Sequence, residues 1–123
     1  MHELAIAEAV VAIAERHARG RRVRSVEVEV GHLRQVVPAA LEFAFELVAR
    51  GTAVEGAELV LRAVSVSGRC RDCGAHSAMP GLPPACGRCG SVDVEIVTGE
   101  ELRVDALELE EMAGTTGGTG DGG

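Results

Sequence analysis

The chain has no tryptophan, no tyrosine and no lysine, and only two phenylalanines among its 123 residues. Its hydrophobic fraction of 46% is nevertheless enough for a core, which must be built from Val, Leu, Ile and Ala. Scarce aromatics also remove the stacking platforms on which single-stranded nucleic acid binds. Every basic residue is arginine, and the net charge of −7 opposes the basic surface that nucleic acid needs as a partner. No apolar run approaches the ~20 residues that span a bilayer. The first turns carry Glu3, Glu8 and Glu15 where a secretory signal would carry basic residues. The expected setting is therefore cytoplasmic, with no membrane and no nucleic acid partner, and thiols there stay reduced. In that setting four cysteines point to a metal. No H-E-x-x-H, phosphate-binding glycine loop or G-x-S-x-G occurs, so the chain is not expected to be an enzyme.

Periodicity divides the chain. Residues 2–18 predict an amphipathic helix, with Leu4, Ala7, Val11 and Ala14 on its apolar face and Ile6, Val10 and Ile13 widening it. Gly20 is expected to end it. Residues 23–31 switch to period two, with Val26, Val28 and Val30 on one face of a half-buried strand. Pro38 suits the first turn of a second helix over 38–50, in which Leu41, Ala44, Phe45 and Val48 face inward. Strands follow at 57–66, 92–97 and 101–110. In the last, the apolar positions move from even to odd, which predicts a bulge near Ala106. Residues 67–91 show no usable periodicity. The segment from Gly114 onward is low-complexity and expected to be disordered. The expected fold is α+β: a small sheet of about three strands packed with two helices, plus an inserted zinc-ribbon-like module. Residues 1–66, completed by about 99–112, form the α/β domain; 67–98 form the module; 114–123 form the tail.

Cys70, Cys73, Cys86 and Cys89 make two C-x-x-C pairs separated by twelve residues. Each pair suits a tight knuckle whose backbone N–H groups point at sulfur, and two knuckles face to face give a tetrahedral four-thiolate site. Gly74 and Gly90 follow the pairs, where a positive φ closes the turn. Iron accepts the same ligands, but no aromatic residue shields the site, which favours structural Zn(II). Four thiolates leave no open position for a substrate. Arg69, Arg71 and Arg88 cluster about the knuckles and suit either a docking surface or ordinary solvated charge.

Met1, His2 and Glu3 open the chain. The Met1 α-amine, the His2 backbone nitrogen and the His2 imidazole are placed to close adjacent chelate rings, with the Glu3 carboxylate near enough to assist. Such nitrogen-rich ligation suits Ni(II) or Cu(II). His17, His32 and His76 read instead as helix-surface and loop residues.

In MHEL at the start, VEVGHLRQVVP at 28–38, LEFAFELVARGTAVEGAEL at 41–59, GRCRDCG, CGRCGS and the GEELRVDALELEE ending, the sequence resembles the HypA/HybF family of nickel-insertion proteins. Ala5, Ser65 and Gly87 depart from the family's usual residues, and none is a proposed ligand. The resemblance implies a nickel metallochaperone with Ni(II) carried by Met1, His2 and Glu3 and Zn(II) held by Cys70, Cys73, Cys86 and Cys89. It implies as partners the maturation GTPase HypB, the large subunit of [NiFe]-hydrogenase and, for some members, the urease maturation proteins. A zinc-ribbon interaction or nucleic-acid-binding module without nickel function is the alternative the cysteines and arginines leave open.

Overall fold

The computed structural model describes residues 2–111; Met1 and the 114–123 segment lie outside the described residues. The elements run α1 (Glu3–Ala18), β1 (Val23–Gly31), a 3-10 turn (His32–Arg34), α2 (Pro38–Ala49), β2 (Glu58–Val64), β3 (Ser67–Cys70), β4 (His76–Ala78), β5 (Val94–Thr98) and β6 (Leu102–Leu109). They form two three-stranded sheets, ordered β2-β1-β6 and β4-β3-β5. No helix among the described residues is long and apolar enough to cross a membrane.

The inward arc of α1 is Ile6, Ala7, Val10, Val11, Ala14 and Ala18, with Glu3 at its start. Leu4 was expected in this stripe and is 50% exposed instead. At about 100° per residue the buried arc centres on positions 3, 7, 10 and 14, so Leu4 and Ile13 fall on its two rims. Arg19 at φ 53° and Gly20 at φ 84° turn the chain out of the helix. Pro38 opens α2 as the sequence predicts, and Leu41, Ala44, Phe45 and Ala49 are its buried residues, with Val48 only half-buried.

β1 is the centre of the first sheet. It pairs parallel with β2, setting Val26 opposite Leu59 and Val28 opposite Leu61. On its other side it pairs antiparallel with β6, setting Val26 opposite Leu107 and Val28 opposite Val104. Glu27 faces Ala106 while Val28 faces Val104, so Asp105 is the extra residue of a bulge, beside the predicted position. Val26 and Val28 are fully buried in one aliphatic cluster with both helices. The opposite face is ionic. Arg62 contacts Glu27 at 2.7 Å, Glu29 at 2.8 Å and the bulged Asp105 at 2.7 Å, and Arg103 reaches Glu29 at 2.7 Å.

Residues 67–91 are not without regular structure. β3 and β4 pair antiparallel, and β3 also pairs with β5, setting Cys70 opposite Val94. These strands, SGRC and HSA, are too short and too polar to show a period; backbone pairing with their neighbours makes them strands. The predicted strand at 92–97 is β5, and it belongs to this second sheet.

The two sheets meet at glycine. A Cβ on Gly31 would lie 2.0 Å from the Gly99 carbonyl oxygen, and one on Gly99 would lie 2.8 Å from the Val66 Cα. Gly31 N–H donates to the Glu101 carbonyl at 2.8 Å, and Leu33 N–H donates to the Gly99 carbonyl at 2.9 Å. The turn after β1 is thereby tied to the segment that returns from the second sheet to β6.

Candidate metal centres

The four cysteines converge. Cys70 ends β3, Cys73 closes the first knuckle, and Cys86 and Cys89 form the second. In each knuckle the fourth amide turns back: Gly74 N–H donates to the Cys70 carbonyl and Gly90 N–H to the Cys86 carbonyl, both at 2.9 Å. Gly74 and Gly90 take φ of 77° and 80°, the left-handed region that a Cβ disfavours. Amides then aim at sulfur. Cys73 N–H lies 3.4 Å from Cys70 Sγ, Cys89 N–H lies 3.4 Å from Cys86 Sγ, and Arg88 N–H lies 3.3 Å from the same sulfur.

All four sulfurs lie within 4.8 Å of one another. Cys70 and Cys89 Sγ are 3.6 Å apart, and Cys73 and Cys86 Sγ are 3.7 Å apart. A disulfide needs about 2.05 Å, so these are free thiols. Tetrahedral zinc, with Zn–S near 2.3 Å, sets its sulfurs about 3.8 Å apart, which these spacings match. The thiols of the cluster differ in acidity. The amides of Cys89 and Arg88 pull the Cys86 thiol down to about 6. At Cys89 a hydrogen bond from Ser91 favours the thiolate, but contact with Cys70, burial, and the sulfurs of Cys73 and Cys86 outweigh it and push the thiol up to about 12. Four thiolates so close are stable together only around a positive ion. The donor set and its spacing fit a closed structural metal centre, able to hold zinc, with Cys70 and Cys86 buried and Cys73 and Cys89 facing solvent.

Of the arginines about the knuckles, Arg71 makes contacts within the module. Arg71 donates to Asp93 Oδ1 at 3.1 Å and to the Val94 carbonyl at 2.9 Å, fastening β5 beside the first knuckle. Ser91 hydrogen-bonds Asp72 and accepts the Cys86 N–H at its carbonyl, joining the two knuckles. His76 opens β4 and is exposed, outside the cluster.

At the N-terminus the structure gives two of the three predicted nickel ligands different surroundings. His2 is the exposed N-cap of α1, and its Nε2 lies 3.1 Å from the Arg34 carbonyl oxygen. Glu3 is buried, 5% exposed, and its Oε2 accepts the Val37 N–H at 2.9 Å. The chain's amino terminus first, and then the Val37 amide, hold the Glu3 carboxyl down at about 2. Met1 is outside the described residues. His17 Nδ1 lies 2.9 Å from the carbonyl of Ile13 on the same helix, and His32 is exposed in the 3-10 turn, so neither joins this group. Sequence reasoning did not find Arg34 or Val37, because the contacts to His2 and Glu3 come from the Arg34 carbonyl and the Val37 amide, backbone atoms that carry no residue signature.

A helix-covered sheet joined to a four-cysteine centre, with a histidine presented at the start of the first helix, defines a small metal-handling protein. The family model described as "Hydrogenase/urease nickel incorporation, metallochaperone, hypA" matches residues 1–109. The chain belongs to the HypA family of nickel metallochaperones, which serve hydrogenase maturation. It is 46% identical to the hydrogenase maturation factor HypA of Geotalea uraniireducens over 110 residues, 89% of this chain and 100% of that one. To its counterpart in a Nostoc species it is 40% identical over 112 residues, 91% and 98% of the two chains. The solution structure of the Ni metallochaperone HypA from Helicobacter pylori superposes with a TM-score of 0.66 at 27% identity, covering 89% of this chain and 97% of that one.

Proposed function

We propose that this chain carries Ni(II) at its N-terminus and delivers it to the large subunit of [NiFe]-hydrogenase in the cytoplasm, with the GTPase HypB as its maturation partner. The family's description extends to urease, and urease maturation proteins are the second partners of the same kind. The chain acts as a carrier and not as an enzyme. Its ligands are the Met1 α-amine, the backbone nitrogen and imidazole of His2, and Glu3 in support. Zn(II) at Cys70, Cys73, Cys86 and Cys89 holds the second sheet.

The observation that carries this reading is the exposure of His2 at the helix start. Its amide lies ahead of the helical ladder, where the first N–H groups have no intrahelical partner. A cargo site must both take and release its ion. An exposed site with few ligands does so more readily than a buried cage, and the positive end of the α1 dipole weakens cation binding further. Glu3 offsets that end with its charge and, through Val37, orders the chain around it.

Nickel titration of untagged wild type and His2→Ala, with zinc counted by elemental analysis, tests the assignment. Nickel bound by wild type alone, at one zinc per chain in both, is the expected result. Equal nickel binding by both proteins would remove His2 from the site and leave a zinc-stabilised interaction module. Acid is expected to weaken nickel binding, because imidazole and amine ligate only when deprotonated.

A further inference from the structure

The imidazole of His2 has two nitrogens, and only one can be offered to a metal in the geometry seen here. Nε2 faces the Arg34 carbonyl oxygen at 3.1 Å. A carbonyl only accepts, so Nε2 must carry the proton and the lone pair is left on Nδ1. Nδ1 is also the nitrogen that reaches the residue's own backbone nitrogen through Cγ, Cβ and Cα in a compact chelate ring. Nε2, on the far side of the imidazole, cannot close that ring. The contact with Arg34 therefore selects the useful tautomer and leaves the useful atom free.

The Arg34 carbonyl is itself held. The Arg34 side chain donates from Nε to the Glu100 carbonyl at 2.8 Å, which fixes the turn against the segment joining β5 to β6. Leu33 N–H to the Gly99 carbonyl, at 2.9 Å, fixes the preceding residue to the same segment. Gln35, next along, takes φ 53° and donates its N–H to the His32 carbonyl at 3.1 Å, closing the turn on itself. Two residues later Val37 donates to Glu3. The turn thus grips both His2 and Glu3, one by a carbonyl and one by an amide.

We propose that Arg34 is a positioning residue for nickel capture: its carbonyl sets the His2 tautomer with Nδ1 as the ligand, and its guanidinium, tied to Glu100, keeps that carbonyl in place. The inference rests on the nickel reading above and adds to it a support contributed by a residue some thirty positions away in sequence. Outer groups of this kind fix ring orientation and ligand basicity at metal-bound histidines, and their loss costs about ten- to a hundredfold in affinity.

The test compares wild type, His2→Ala, Arg34→Ala and Arg34→Lys by nickel titration and by ring-nitrogen NMR of His2 in the metal-free proteins. In wild type with the imidazole neutral, Nε2 carries a proton that exchanges slowly with water; in Arg34→Ala that protection is lost. Arg34→Ala is expected to bind nickel about tenfold more weakly while keeping its zinc content and melting temperature, and Arg34→Lys to recover part of the loss. Wild-type affinity in Arg34→Ala overturns the proposal while leaving His2 as a ligand. Wild-type affinity in His2→Ala overturns it together with the nickel reading. Should Arg34→Ala fail to fold, the wild-type spectrum decides alone: a proton on Nδ1, or an Nε2 proton in free exchange, overturns the proposal.

Discussion

The two sheets are held together by different means. The first has an apolar interior: α1, α2 and the inner face of β1 enclose Ile6, Val10, Val11, Val26, Val28, Leu41 and Phe45 in one cluster. In the second, the buried apolar residues are Cys70, Met79 and Cys86, with Val66 at its entrance. Two of those belong to the four-cysteine cluster, and the strands around them are three to five residues long. Such a sheet buries too little apolar surface to offset the entropy of its own chain, a deficit that an ion held by the four cysteines would make up. One polypeptide therefore contains a part built around an aliphatic cluster and a part built around four cysteines.

The largest effect that separates them is metal removal. A structural zinc contributes about 10–16 kcal/mol of folding free energy in small zinc modules at neutral pH. A chelator, or Cys70→Ser, is expected to collapse the amide dispersion of β3, β4 and β5 while the helical circular dichroism persists. Loss of both together would show that the parts fold as one. Next comes the reverse experiment. Leu41 is 1% exposed in the aliphatic cluster, and Leu41→Ala should cost about 2–5 kcal/mol. Thermal unfolding should report that loss with one metal per chain still bound at the cysteines.

Acid sharpens the comparison from the side of the helices. Glu3 is held at about 2, below its ordinary 4.5. A lowered carboxyl stabilises the fold in full above its unfolded value, and that contribution fades as pH falls from 4.5 toward 2. The melting temperature of Glu3→Gln should thus lie below wild type near neutrality and converge with it at the acid end. The smallest effect is at the ionic outer face. Arg62 is 50% exposed, so its contacts with Glu27, Glu29 and Asp105 are screened, and Arg62→Ala should cost under about 1 kcal/mol, less in high salt.

How legible each part was in the sequence follows from how it is stabilised. Period-coded burial exposed both helices, β1, and even the bulge beside Ala106. The knuckles were legible because thiolate ligation demands fixed spacing, and Gly74 and Gly90 confirmed the turns. β3 and β4 left no trace, since strands of three or four residues ordered by backbone pairing impose no side-chain pattern. Leu4 was misplaced because a stripe through 4, 7, 11 and 14 is as regular as one through 3, 7, 10 and 14, and only tertiary packing chooses. At the N-terminus the sequence pointed to Met1, His2 and Glu3 together, and of these His2 and Glu3 are described in the structure. Their different environments, one exposed on a carbonyl and one buried on an amide, depend on a turn that no local rule joins to them.

The partner strands of β1 lie far apart in the chain: β2 at 58–64 and β6 at 102–109, with the whole cysteine sheet between them. During synthesis the cysteines leave the ribosome before β6 does. At about 5–20 residues per second, a delay of seconds separates the second knuckle from the last strand. Through that interval β1 is open along the edge β6 will occupy, while the cysteine sheet already has every ligand it needs. The order of elements along the chain thus makes the four cysteines available before the strand that completes the first sheet.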